Sequence, residues 1–149
     1  MSIETIINRQ YDIANNQADD IQLPKQKIYA MCNLRGGIGK TTLSFNLSYL
    51  TDNLLAVDTC PQGNLSFFYD SNYYSGQQTN VKDMLLPYLV PGLGKATRVA
   101  SYIGATNSYF ASKNNYYIPS SDELYLLPSQ LITAINQTSG LQQPQKDQA

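Results

Sequence analysis

Histidine is absent from the 149 residues. That removes Ser-His and Cys-His nucleophile arrangements and every His-based metal site. Cysteine occurs twice, as Cys32 and Cys60, without metal-ligand spacing; the pair reads as reduced, mostly buried thiols. Charge is sparse at 14%, the ten Lys and Arg residues stand singly, and the net charge is −1. Such a balance excludes a strong, chain-wide affinity for nucleic acid, which needs clustered cations. No apolar run approaches the ~20 residues that cross a bilayer. The start, "MSIETIINRQ", has neither a basic region nor a long apolar segment, so it is no secretion signal, and a cytoplasmic protein without membrane contact is expected. What remains is an ordinary apolar fraction of 42% and a length within the common single-domain range of ~100–150 residues.

Residues 2–16 place Ile3, Ile6, Ile7 and Tyr11 at helical spacing behind Ser2, a candidate N-cap. A polar stretch ending in Pro24 follows, so residues 1–26 read as an amphipathic helix and linker. "KIYAMCN" (27–33) alternates through Ile28, Tyr29 and Met31 and predicts a short buried strand. "KTTLSFNLSYL" offers Leu43, Phe45, Leu47 and Leu50 to a helix that Asp52 and Asn53 break. "LLAVD" (54–58) is a continuous apolar run suited to an internal parallel strand. Strand, glycine loop, helix, strand make a βαβ unit and an α/β fold class.

Beyond Asn64 the pattern weakens. "FFYDSNYYSGQQTN" (67–80) reads as a tyrosine-rich loop, 81–90 as a helix interrupted or kinked by Pro87, and 91–118 carries no firm period. "ELYLLPS" (123–129) predicts a third strand and "QLITAINQ" a short helix. Residues 140–149 are polar and expected to be disordered. Tyr73–Tyr74 and Tyr116–Tyr117 lack the interleaved cations of a single-strand nucleic-acid binder, and the proline-broken "MLLPYLVPGLG" fits core packing better than a membrane or partner face.

The chemistry concentrates in "NLRGGIGKTT" (33–42). The P-loop pattern Gly-x-x-x-x-Gly-Lys-Ser/Thr fails by one position, because Leu34 stands where the first glycine belongs. Gly36, Gly37, Ile38, Gly39, Lys40, Thr41 and Thr42 still supply the physics of phosphate binding. Backbone N–H groups can close round an anion where side chains are missing, and the following helix presents its positive end. Lys40 would reach the β- and γ-phosphates of ATP and Thr41 would offer its hydroxyl to Mg²⁺.

This departure resembles the deviant Walker A motif of the ParA/MinD family of partition and positioning ATPases, which reads Lys-Gly-Gly-x-Gly-Lys-Thr-Thr. Asn33 before the loop and Asn46–Leu47 after it fit that pattern. "VDTCPQGNLS" (57–66) is similar to the family's second motif, Val-Asp-x-Asp-Pro-Gln-Gly-Asn, and "LYLLPSQL" (124–131) to a strand that often ends in Leu-Pro-Ser or Ile-Pro-Ser. The resemblance implies a P-loop NTPase-like parallel sheet with flanking helices over residues 27–139, here truncated before the Walker B strand. It implies a homodimer formed across ATP, a centromere-binding ParB-like partner, and non-specific DNA contact by a C-terminal part that this sequence does not match.

Two departures bear on activity. Arg35 stands where the family's trans-acting lysine would be; it keeps the charge and can donate bidentately to phosphate. Cys60 replaces the aspartate that positions the attacking water, leaving Asp58, two residues earlier, as the remaining carboxylate. A thiol is a poor acceptor. The resemblance therefore implies plasmid or chromosome segregation through ATP-dependent dimerisation, with Lys40, Arg35 and Asp58 as candidate catalytic residues. The alternative is a hydrolysis-incompetent nucleotide-binding or interaction module derived from that family.

Overall fold

A computed structural model describes residues 1–15, 17, 25–74, 78–89, 98–129 and 132–133. It is α/β: helices α1 (Ile3–Ala14), α2 (Lys40–Leu50), α3 (Asn64–Tyr69) and α4 (Val81–Leu89), with strands β1 (Leu55–Val57), β2 (Ser101–Tyr102) and β3 (Tyr116–Ile118). The sheet order is β1-β3-β2. β1 pairs with β3 in parallel, Ala56 opposite Tyr117, while β2 joins the other edge of β3 antiparallel. The sheet is thus mixed rather than all-parallel. No helix among the described residues is long and apolar enough to cross a membrane.

Alternation along the strands divides the core between the two sheet faces. On one, Ala56 packs with Tyr117, Tyr69, Ile103, Phe110, Phe45 and Leu65. From α2, Phe45 packs on this cluster, its ring 5.6 Å from Phe110 and 5.8 Å from Tyr69, and the Tyr49 ring lies 5.9 Å from Phe110. Tyr69 lies 5.3 Å from Tyr117. Aromatic pairs in such stacked, tilted and edge-on arrangements each add ~0.5–1.5 kcal/mol beyond area burial. On the other face, Leu55 and Ile118 pack with Val81, Val99, Met84, Leu85 and Leu124.

Local chemistry explains the helix ends. Ser2 caps α1 by accepting from Thr5 N at 3.2 Å, as its position predicts. Asn53, at φ 60°, turns the chain out of α2. Asn80 and Asp83 form a reciprocal box at the start of α4: Asn80 N donates to Asp83 Oδ2 and Lys82 N to Asn80 Oδ1, both at 3.0 Å. Asn115 is buried and joins three elements. Its Nδ2 donates to Ser48 O (2.8 Å) and Thr51 O (2.9 Å) at the end of α2, and its Oδ1 accepts from Leu54 N (3.1 Å).

Several sequence expectations fail. Residues 27–33 form no strand: Ile28 is 90% and Tyr29 76% exposed, because no strand among the described residues lies beside them. β1, predicted to be internal, sits at the sheet edge. Phe67, Phe68 and Tyr69 end helix α3 instead of opening a loop. The segment expected as a third strand folds as a 3-10 helix over Asp122–Tyr125, capped by Ser121, which accepts from Glu123 N. Tyr116–Ile118 is the strand, and its continuation, Ile118-Pro119-Ser120, carries the tripeptide assigned to residues 127–129. α4 runs through Pro87 to Leu89. Leu43, Leu47 and Leu50 are exposed, and so are Cys32 and Cys60. Most of residues 17–26 and all of 140–149 lie outside the described residues, as does most of 130–137.

Candidate functional site

The glycine loop joins the exposed segment 27–33 to the N-terminus of α2. Asn33 Oδ1 accepts from Arg35 N at 2.7 Å, which starts the turn. Gly37 (φ 73°) and Gly39 (φ 85°) are left-handed, a conformation an L side chain resists. Gly39 is the N-cap of α2 and brings no side-chain acceptor to it, so the first N–H groups of the helix have no capping side chain. Lys40 reaches back across the loop and donates from Nζ to Arg35 O at 3.0 Å. Arg35 uses its backbone N–H and C=O to shape the loop and leaves its side chain exposed.

A Cβ added at Gly36, Gly37 or Gly39 would meet nothing within 4 Å. The loop thus presents bare backbone to open space rather than to packed protein, which is what close approach of a phosphate needs. Leu34 is fully exposed; its side chain intrudes on no neighbour, so loss of the strict pattern's first glycine costs this conformation nothing sterically. Around the loop stand the Lys40 ammonium and the Thr41 and Thr42 hydroxyls. This donor set fits a polyphosphate: Gly36–Thr42 would hold it, and Thr41 would add one oxygen to a magnesium ion brought with the nucleotide. Among the described residues no group of three His, Cys, Asp or Glu is placed to hold a metal.

Asp58 sits at the C-terminal end of β1, where ligands of open α/β sheets bind, yet it is buried and already engaged. Oδ1 accepts from Cys60 N at 3.1 Å, and Oδ2 accepts from Ser66 N at 2.9 Å and Ser66 Oγ at 2.8 Å. Ser66 is the third residue of α3, so Asp58 satisfies one of the helix's orphan donors. The intervening Cys60-Pro61-Gln62-Gly63 is a turn closed by Gly63 N donating to Cys60 O at 2.9 Å, with proline at the favoured second position. Gly63 is obligatory on two counts: φ is 66°, and a Cβ would lie 2.7 Å from Tyr73 Cε1.

This polar network extends to the end of β3. Ser120 N donates to Ser66 Oγ at 2.9 Å, Ser120 Oγ donates to Cys60 O, and Tyr73 Oη donates to Ser120 O at 2.7 Å. Sequence reasoning missed Ser66, Ser120 and Tyr73, although the Ile-Pro-Ser at 118–120 was a legible signal for Ser120. The structure gathers Arg35 to Thr42 in one loop and Asp58 and Cys60 in a second, with no hydrogen bond or ion pair between residues 33–42 and residues 58–63 among the described residues.

The family model of the AAA domain matches residues 26–147, a span that includes both loops. No curated protein and no solved structure matches the chain. A strand-end sheet, a left-handed glycine loop opening a helix and this match over most of the sequence lead to one statement: the chain belongs to the AAA-domain family and carries a P-loop NTPase-like fold.

Proposed function

We propose that this protein binds ATP with Mg²⁺ through Gly36–Thr42 and acts as a ParA-like partition protein, dimerising on the nucleotide during plasmid or chromosome segregation. The observation that carries the reading is the loop itself: left-handed Gly37 and Gly39, open space over three glycines, and a lysine and two threonines at the start of α2. The exposed Arg35 side chain is free to reach a partner's phosphates. A centromere-binding, ParB-like protein would be the partner, and any contact with DNA would be weak, given the scattered cations.

Turnover by this chain is slow or absent in this reading. Cys60 offers no carboxylate, and Asp58 spends both oxygens on backbone and Ser66. Loss of a water-positioning group costs ~10²–10⁴ in rate. These two residues favour a second reading, a nucleotide-sensing module without hydrolysis. Phosphate release above background, lost in Lys40→Ala, selects the enzyme. Binding without release selects the module, and recovery of release in Cys60→Asp would assign the defect to the missing carboxylate.

A further inference from the structure

Residues 32–39 are all exposed, and Gly36, Gly37 and Gly39 are among them. Packing therefore does little to hold the glycine loop in shape, and glycine loses more freedom on ordering than any other residue. A loop that sampled many shapes would receive a phosphate only in the molecules already holding the right one. Its apparent affinity would fall by that fraction.

Two side chains reach into this loop, and both end on Arg35. Asn33 Oδ1 accepts from Arg35 N at 2.7 Å, and Lys40 Nζ donates to Arg35 O at 3.0 Å. The two bonds grip the peptide groups on either side of one Cα, and so set the direction in which the chain enters Gly36. They differ in what a nucleotide does to them. Lys40 is the cation that turns to the β- and γ-phosphates, so phosphate competes with Arg35 O for its hydrogens. Asn33 Oδ1 is an acceptor, to which a phosphate oxygen offers no hydrogen. Its bond also commits the Arg35 N–H, so the run of backbone donors left for phosphate begins at Gly36.

Resting on the ATP-binding reading above, we infer that Asn33 is a positioning residue for the nucleotide: it acts through Arg35 N, holding the glycine loop in the shape that receives a phosphate. The residue type suits the task. An asparagine side chain closes a turn on the backbone N–H two residues ahead, and being neutral it sets no negative charge beside the polyphosphate, as aspartate would. Alanine has no acceptor, whereas a serine hydroxyl can close the same turn. Asn33, Leu34 and Arg35 are exposed and belong to neither core cluster, so the bond shapes the loop without supporting the rest of the fold.

Calorimetric titration of the full chain with MgATP, joined to amide exchange by NMR and a melt without nucleotide, tests the inference. The proteins compared are the wild type, Lys40→Ala, Asn33→Ala and Asn33→Ser. Asn33→Ala should raise the Kd about 5–10-fold, the weight of one such bond. Without nucleotide, its Arg35 amide should exchange at least ~3-fold faster for want of an acceptor. Asn33→Ser should return the Kd to within ~2-fold of the wild type. The melting midpoint without nucleotide should be the same in all four. A wild type that fails to bind MgATP would overturn the ATP-binding reading and this inference together. Binding lost in Lys40→Ala but unchanged in Asn33→Ala would overturn the inference alone. So would weaker binding with unaltered Arg35 exchange, since Asn33 would then touch the nucleotide itself. Asn33→Ser as weak as Asn33→Ala would count against it equally, as would a lowered midpoint in Asn33→Ala, the mark of a fold residue.

Discussion

At the scale of single residues, the two loops contrast in what their side chains are already doing. Asp58 is a structural group: it turns the chain after β1 and caps α3 through three hydrogen bonds. Asp58→Ala leaves the buried Ser66 N and the partly buried Cys60 N without this acceptor, and should destabilise the fold by roughly 2–4 kcal/mol in denaturant unfolding. Lys40 makes one bond, to an exposed carbonyl. Its removal should move stability by less than about 0.5 kcal/mol. A large loss in Lys40→Ala, or none in Asp58→Ala, would reverse the assignment of these residues. Gly63→Ala combines a left-handed φ with a 2.7 Å approach to Tyr73, and a cost of roughly 1–3 kcal/mol is expected. An unchanged midpoint would mean that Tyr73 yields freely.

At the scale of elements, the glycine loop and α2 were legible because their signals are local: backbone permissiveness, a helix start, a breaker pair at Asp52–Asn53. The Ser2 cap was legible for the same reason. Strands were harder, because a strand is completed by its neighbour. "KIYAMCN" alternates as well as "YYI" does, yet only the second has β1 beside it and a network of serines beyond it. "ELYLLPS" failed for a related reason: Ser121 and two acidic residues favour a capped turn, and Leu124 alone reaches the Val81 cluster. Asn115, whose three bonds link α2, β1 and β3, has no sequence signature at all. Asn115→Ala should cost roughly 2–4 kcal/mol and release the end of α2, seen as faster amide exchange at residues 47–54. Unaltered exchange there would mean that the helix end is held by packing.

At the scale of the whole molecule, one aromatic core stabilises the sheet that carries both loops, and it makes the fold sensitive to alkali. Burial pushes the Tyr69 and Tyr117 hydroxyls up to about 12 each, whereas in the unfolded chain they ionise near ~10. Their contribution is fully present below pH ~10 and is lost as pH rises towards ~12, because the unfolded state releases protons that the folded state keeps. Unfolding at pH ~11.5 should therefore lie roughly 2–4 kcal/mol below that at pH ~9, and equal stabilities would contradict this core. The account rests most directly on nucleotide binding at the glycine loop. A thermal melt with and without MgATP, of the wild type and Lys40→Ala, measures it. A ligand at a hundredfold excess over its Kd stabilises the folded state by ~2.7 kcal/mol. The account predicts a raised midpoint in the wild type alone, from equal starting midpoints. A wild type indifferent to MgATP, or an equal rise in Lys40→Ala, would contradict it.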